Sequence, residues 1–183
     1  MGDHNVTNAT ASIAIALNLG IKMSVVKKAL KKFSGIQRRF TKVFSINNRD
    51  FYDDYAHHPT EIRAVINSAR QVYADRKIIC VFQPHRYSRI KSLKKEFALS
   101  FKSSNEVVLC PIYAAGEKVD SNFSQDYFSQ LISKKSEIQV INIKNQNELK
   151  NFLKKNLFDD EMVICMGAGN ISNWIREIGI ELQ

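Results

Sequence analysis

The chain has 183 residues, 44% hydrophobic and 25% charged, with a formal net charge of +9. Those values suit one good-sized domain, or a domain plus a fragment, whose core needs no staples. They exclude a membrane-spanning chain, because no apolar run approaches the roughly 18 residues a span requires.

The start, MGDHNVTNAT, has no basic region followed by an apolar stretch, so no secretory signal is expected. The basic excess is scattered as Lys pairs, at Lys27-Lys28, Lys31-Lys32, Lys94-Lys95, Lys134-Lys135 and Lys154-Lys155. Such pairs mark solvated helix faces. A nucleic-acid surface more often clusters Arg and interleaves aromatics, so neither nucleic acid nor membrane is an expected partner. Attraction to a smaller polyanion, a nucleotide included, stays open. Cys80, Cys110 and Cys165 sit in or at the end of apolar runs, and their odd count argues against disulfides and for a reducing, cytoplasmic location. They read as buried small hydrophobes, and the spacing for a zinc site is absent.

In chain order, Val6, Ile13 and Leu17 mark a first helix that ends at Gly20. Ser24 is the expected N-cap of a second helix, Val25–Phe33, which closes before Gly35. This pair has no strand of its own and looks like the end of another domain. The link is SGIQRRF, with Gly35 as the expected hinge, which divides the chain into 1–37 and 38–183.

From there strands and helices alternate. Thr41–Ile46, Ile78–Phe82, Val107–Cys110, Ile138–Ile143 and Met162–Met166 read as strands, and Phe51–Tyr55 is a shorter sixth candidate. The middle runs are continuous rather than alternating, as in strands covered on both faces. Thr60–Tyr73 carries Ile62, Val65, Ile66, Ala69 and Val72 at helical spacing. Leu93, Phe97 and Phe101 predict a helix after the next strand. Phe128 with Ile132, Leu149 with Phe152, and Ile171 with Ile175 and Ile178 predict three more. The pattern predicts a doubly wound α/β fold with a mostly parallel sheet.

Unusual polar residues fall directly after the apolar runs. DDYAHHPTEIR (Asp53–Arg63) follows the short candidate strand, QPHRYSR follows IICVF, PIYAAGE follows VVLC, and GAGN follows MVICM. In a parallel sheet these loops leave at one edge, where such proteins bind ligands. His57, His58, His85, Arg86, Arg89, Glu117 and the Gly167–Asn170 turn are therefore expected to converge. Each has a plainer reading. The adjacent His pair could satisfy backbone groups at a strand-end turn, and the arginines could be surface ion-pair partners. Arg is nevertheless the side chain that grips a carboxylate or phosphate bidentately. GAGN is an incomplete dinucleotide fingerprint and could be only a tight turn. No G-x-x-x-x-G-K-[ST] occurs, so a triphosphate cradle of that kind would lie elsewhere.

Taken together, GDHNVTNA, SGIQRRF, DDYAHHPTEI, FQPHRYSR, PIYAAGE and GAGN resemble the Mur ligases, the ATP-dependent amide-forming enzymes of peptidoglycan synthesis. The QPHRYSR loop is most similar to members that join UDP-N-acetylmuramate to L-alanine. A related tripeptide-coupling member and a non-enzymatic nucleotide- or polyanion-binding module stay open as alternatives. The resemblance implies a Rossmann-like C-terminal domain in 38–183 and, in 1–37, the last helices of a central ATPase domain. It implies ATP and magnesium as cofactors, with the magnesium ligands and the phosphate-binding Lys in upstream domains that this chain would need as partners. It places His4, Asn5 and Asn8 near the adenine, Arg39 near the phosphates, and Asp54 near the ribose or phosphates. Tyr55, His57, His85, Arg86 and Arg89 match the pocket for the incoming amino acid. No catalytic base is assigned.

Overall fold

The computed structural model describes residues 3–33, 35–155 and 160–182. Gly2 and Ser34, which open two of the quoted motifs, lie outside the described residues, as does the side chain of His4. The chain divides into two compact units, Met1–Ile36 and Gln37–Gln183.

The first unit is a helical pair, α1 (Asp3–Asn18) and α2 (Met23–Lys32). Gly20, at φ 78, turns the chain between them in a conformation that costs Gly little. Ser24 does not cap α2. The N-cap is Lys22, whose extended backbone aims its carbonyl at the N–H groups of Val25 and Val26, and no side chain caps the helix. Val26 is buried, but Val6, Ile15, Leu17, Leu19, Val25 and Leu30 are exposed. A groove of about 250 Å³ runs along Ile13, Ala16, Ile21, Val25 and Ala29. Two helices alone have too little surface to bury both of their apolar faces.

The second unit is a six-stranded sheet with helices on both faces. Its strands are β1 (Thr41–Ile46), β2 (Arg49–Asp54), β3 (Lys77–Phe82), β4 (Glu106–Leu109), β5 (Gln139–Asn142) and β6 (Glu161–Met166), in the order β1-β2-β6-β3-β4-β5. Only the β1–β2 pairing is antiparallel among them. The short sixth candidate begins earlier than its apolar run suggests, because Asn47 and Asn48, at φ 48 and 58, form a two-residue hairpin turn.

The continuous apolar runs are explained by the two cores. Ile78, Cys80 and Phe82 of β3 and Met162, Ile164 and Met166 of β6 face one core, while Ile79, Val81, Val163 and Cys165 face the other. The first core is covered by α3 (Pro59–Val72), α5 (Lys94–Ala98) and α6 (Gln125–Ser136), the second by α7 (Gln146–Lys155) and α8 (Ile171–Leu182). All three cysteines are buried free thiols, and burial pushes Cys80 and Cys110 up to about 12.

The helix expected from Leu93, Phe97 and Phe101 is broken. A short α4 (Tyr87–Ser92) ends at Leu93, whose backbone (φ -114, ψ 23) starts α5 afresh. Phe101 lies beyond α5, yet both Phe97 and Phe101 are fully buried, so the apolar spacing reported burial rather than one helix. Arg89 therefore stands on a helix and not in a loop.

Strand β6 lies between β2 and β3. The helix after β6 packs on one face, and those after β2 and β3 pack on the other. Chains diverging in this way leave a crevice at the carboxyl ends of the strands. At the opposite edge, a shallow cleft of about 410 Å³ is lined by Asn47, Asn48, Asp50, Arg76 and Asp160. Its charges are paired with one another. Asp50 accepts from Lys42 and Arg76, each at 2.6 Å, and from the Ser45 hydroxyl at 2.7 Å.

Burial alone would raise the Asp50 carboxyl, but the Lys42, Arg76 and Ser45 bonds overcome it and hold the group at about 2. The stabilisation is present above the ordinary value of 3.8 and is lost as pH falls through about 2. Asp50→Asn should cost about 1–2 kcal/mol at neutral pH. In urea titrations at stepped pH, the gap between the two proteins should close toward pH 2.

Candidate functional site

The site is built on the last residues of β2, where Asp53 and Asp54 are 0% and 4% exposed. Successive strand residues point to opposite faces, and the two carboxylates take different partners. Asp53 accepts the Ser172 hydroxyl at 2.5 Å and Arg176 Nη2 at 3.1 Å, both from α8. Asp54 accepts the backbone N–H groups of Phe40 and Ala56, each at 2.7 Å. Burial raises the Asp54 carboxyl, with those two N–H bonds and the Arg39 charge acting the other way. Arg39 itself is exposed.

Arg38 ties three loops together. Its Nη2 donates to the Gly167 carbonyl at 2.6 Å, its guanidinium lies 4.7 Å over the Tyr55 ring, and its Nε stands 3.9 Å from Asp53 Oδ1. Its own carbonyl accepts the Tyr55 N–H at 2.8 Å.

The adjacent histidines divide the two readings left open by the sequence. His58 is the N-cap of α3, its Nδ1 accepting the Thr60 N–H at 3.3 Å. Glu61 completes the cap by accepting the N–H groups of His57 and His58 at 2.9 and 3.1 Å. His57 turns instead toward the site. Its ring stands 5.2 Å from Tyr55 and 5.8 Å from His85.

His85 stacks on Tyr113 at 5.6 Å and 20°. The two backbones are clamped reciprocally, Arg86 N–H to Tyr113 O at 2.9 Å and Tyr113 N–H to Pro84 O at 2.8 Å. Arg89 Nη1 reaches His85 Nδ1 at 3.3 Å. Burial lowers the His85 pKa, and the positive Arg89 and Arg86 lower it further. The imidazole is held neutral. Arg86 is exposed, at φ 69. Glu117 accepts both the N–H and the hydroxyl of Ser88, and the hydroxyl bond leads the lowering of its pKa.

Gln83 fastens the GAGN turn. Its Nε2 donates to Asn170 Oδ1 at 2.7 Å, and its Oε1 accepts the Ile171 N–H at 3.1 Å. At Gly169 a Cβ would stand 2.5 Å from Gln83 Oε1 and 2.6 Å from Tyr113 Cγ, so only Gly fits.

Tyr55, His57, His85 and Arg89 therefore come together at the carboxyl edge, with the Gly167–Asn170 turn beside them. Arg86 and Glu117 belong to the same edge. Arg38, Glu61, Gln83 and Tyr113 were not singled out from the sequence, although each lies inside one of the quoted motifs. Asn5 and Asn8 are exposed on α1 in the first unit. Among the described residues no three His, Cys, Asp or Glu side chains are grouped as a metal ion would need.

Residues 38–169 match the profile of the family described as Mur ligase, glutamate ligase domain. The chain is 49% identical over 178 residues to the UDP-N-acetylmuramate–L-alanine ligase of Pelagibacter ubique, covering 97% of this chain and 38% of that protein. It is 38% identical over 182 residues to the ligase of the same name from Roseobacter denitrificans, covering 100% and 39%. Among solved structures it is similar to the UDP-N-acetylmuramate-alanine ligase MurC of Thermotoga maritima, with a TM-score of 0.79 at 29% identity, covering 100% of this chain and 38% of that one. The murein peptide ligase of Psychrobacter arcticus shares the fold, with a TM-score of 0.70 at 21% identity over 98% and 38% of the two chains. The chain thus spans about two-fifths of the length of the curated relatives it matches.

Two substitutions test how the site is held. Arg38→Met should cost about 2 kcal/mol, the worth of its charged hydrogen bond to the Gly167 carbonyl. Gly169→Ala should cost about 1–3 kcal/mol through overpacking against Gln83 and Tyr113. Both are read from the shift in urea midpoint at constant slope.

Proposed function

The chain belongs to the Mur ligase family, and we propose that it is the C-terminal portion of an ATP-dependent UDP-N-acetylmuramate–L-alanine ligase of peptidoglycan synthesis. One arrangement carries the reading: Arg89 on His85, with His57 and Tyr55 beside them, at the carboxyl edge of the sheet. An amino acid brings a carboxylate and an amine one carbon apart. Guanidinium groups suit the first, and the imidazoles and Tyr55 suit the second. The similarity to ligases named for L-alanine supports that choice of amino acid.

In the proposed reaction the muramyl carboxylate attacks the γ-phosphate of ATP, ADP leaves, and an acyl phosphate results. The alanine amine attacks that carbonyl through a tetrahedral intermediate, and phosphate leaves. Magnesium would neutralise the crowded anions, held by the domains that precede this portion in such an enzyme. Asn5 and Asn8, with His4, are proposed to meet the adenine. Arg39 suits a phosphate because its charge is exposed. Asp54 is proposed near the nucleotide, acting mainly through the loops its carboxylate holds. The exposed apolar faces of α1 and α2 are proposed to pack on the rest of a central ATPase domain. The contribution of this portion is positioning, which is most of what a ligase needs once the acyl phosphate exists. Alone it is proposed to be inactive, because no phosphate-cradling G-x-x-x-x-G-K-[ST] stands in its sequence. Nucleotide substrates and three buried thiols suit a reducing, cytoplasmic setting.

The test is a chimera in which this chain replaces the matched stretch of the Pelagibacter ubique ligase. With UDP-N-acetylmuramate, ATP and magnesium it should release phosphate only when L-alanine is added. Arg89→Ala should raise the alanine KM about 100-fold, the cost of removing one partner of a charged pair. Turnover with a tripeptide and not with alanine would move the acceptor to the peptide-coupling relatives. A folded chimera with no turnover would sink the ligase reading, and steeply salt-dependent polyanion binding would then favour a binding module.

A further inference from the structure

The site holds two imidazoles, and the hydrogen bonds around them require opposite tautomers. A carbonyl oxygen only accepts. The 2.9 Å bond between His57 Nδ1 and Tyr55 O therefore places a hydrogen on Nδ1. The Glu61 carboxylate lies beside the same nitrogen, its Oε2 at 3.4 Å. The lone pair of His57 is left on Nε2, which has no hydrogen-bond partner among the described residues. A guanidinium only donates. The 3.3 Å contact from Arg89 Nη1 thus puts the His85 lone pair on Nδ1 and its hydrogen on Nε2. One ring offers a base and the other a donor, with their centroids 5.8 Å apart.

An amino acid reaches this site at neutral pH as an ammonium, which has no lone pair to attack with. We infer that His57 Nε2 takes the proton from the incoming amine, with Tyr55 O and Glu61 fixing the opposite side of the ring. The inference rests on the ligase reading above. In the step, the electrons of one N–H bond stay on nitrogen as the new lone pair, and the proton goes to Nε2. That lone pair forms the C–N bond, the electrons of the bond from the acyl carbon to the phosphate oxygen leave with phosphate, and the departing phosphate carries off the second proton of the amine nitrogen. The resulting imidazolium has the Glu61 carboxylate beside its Nδ1–H. Glu61 is held in place because the His57 and His58 N–H groups both donate to it. His85 is unsuited to the same task. Burial and the adjacent Arg89 oppose a second positive charge, and its lone pair is already occupied.

Two measurements test this. In long-range nitrogen–proton NMR spectra of this chain, His57 should carry its hydrogen on Nδ1 and His85 on Nε2. A hydrogen on His57 Nε2 would overturn the inference. In the chimera, His57→Gln should lower kcat with L-alanine about 100-fold, the usual worth of a general base, with little change in KM. Hydroxylamine, an acceptor already unprotonated at neutral pH, should lose at least about tenfold less, because it needs no base. A parallel fall with both acceptors, or a change confined to the alanine KM, would refute the base role. A wild-type chimera without alanine-dependent turnover would remove the ligase reading, and the inference with it.

Discussion

Two adjacent carboxylates are buried at the end of β2, and the loops of the site are arranged around their satisfaction. A buried unpaired carboxylate costs several kcal/mol, so whatever surrounds Asp53 and Asp54 must supply donors. Asp53 recruits Ser172 and Arg176 and thereby fixes the start of α8 behind the GAGN turn. Asp54 recruits the N–H groups of Phe40 and Ala56, one before β1 and one after β2. The backbone of the same residue adds a third tie, because the Gly167 N–H donates to the Asp54 carbonyl at 3.2 Å. Segments far apart in the sequence are thus brought to one corner by charges that have no other outlet.

Arg38 extends that corner into the pocket. It faces Asp53 on one side, Gly167 below and the Tyr55 ring above. From Tyr55 a row of rings continues through His57 and His85 to Tyr113, each 5.2–5.8 Å from the next. At the far end Tyr113 presses on Gly169, where no Cβ fits, and Gln83 closes the circuit back to Asn170. This corner is therefore supported from both ends by the same turn after β6.

Much of this was legible in the sequence. Apolar runs marked all six strands, and the polar residues after them pointed to one edge, because strand direction alone sends those loops there. The failures were local. Leu93, Phe97 and Phe101 repeat at helical spacing, but the periodicity measures which residues are buried and not whether the backbone between them is continuous. Ser24 has the chemistry of an N-cap, yet Lys22 starts the helix because a backbone carbonyl can cap without a side chain. The doublets were the hardest. Arg38-Arg39 pairs a residue tied into the scaffold with an exposed one, and His57-His58 pairs a ring turned toward the site with a helix cap. Composition cannot say which member is which, since the choice depends on partners such as Gly167 and Thr60 that only folding supplies.

Backbone strain follows the same logic. Arg38, Phe40 and Arg86 hold φ values of 59, 49 and 69, a region that costs a non-Gly residue about 1–2 kcal/mol. All three flank the site, and each is pinned by a bond already described. Arg38 is held through the Tyr55 N–H, Phe40 through the Asp54 carboxylate, and Arg86 through the Tyr113 carbonyl. Without those bonds the three residues would relax to ordinary conformations, and Tyr55, His85 and Arg89 would lose their common alignment. The buried Asp54 carboxylate holds one strained residue and backbone hydrogen bonds hold the other two, and the strained turns aim the side chains. A pocket assembled in this way is ordered before any ligand enters it, so less conformational entropy remains to be lost when one binds.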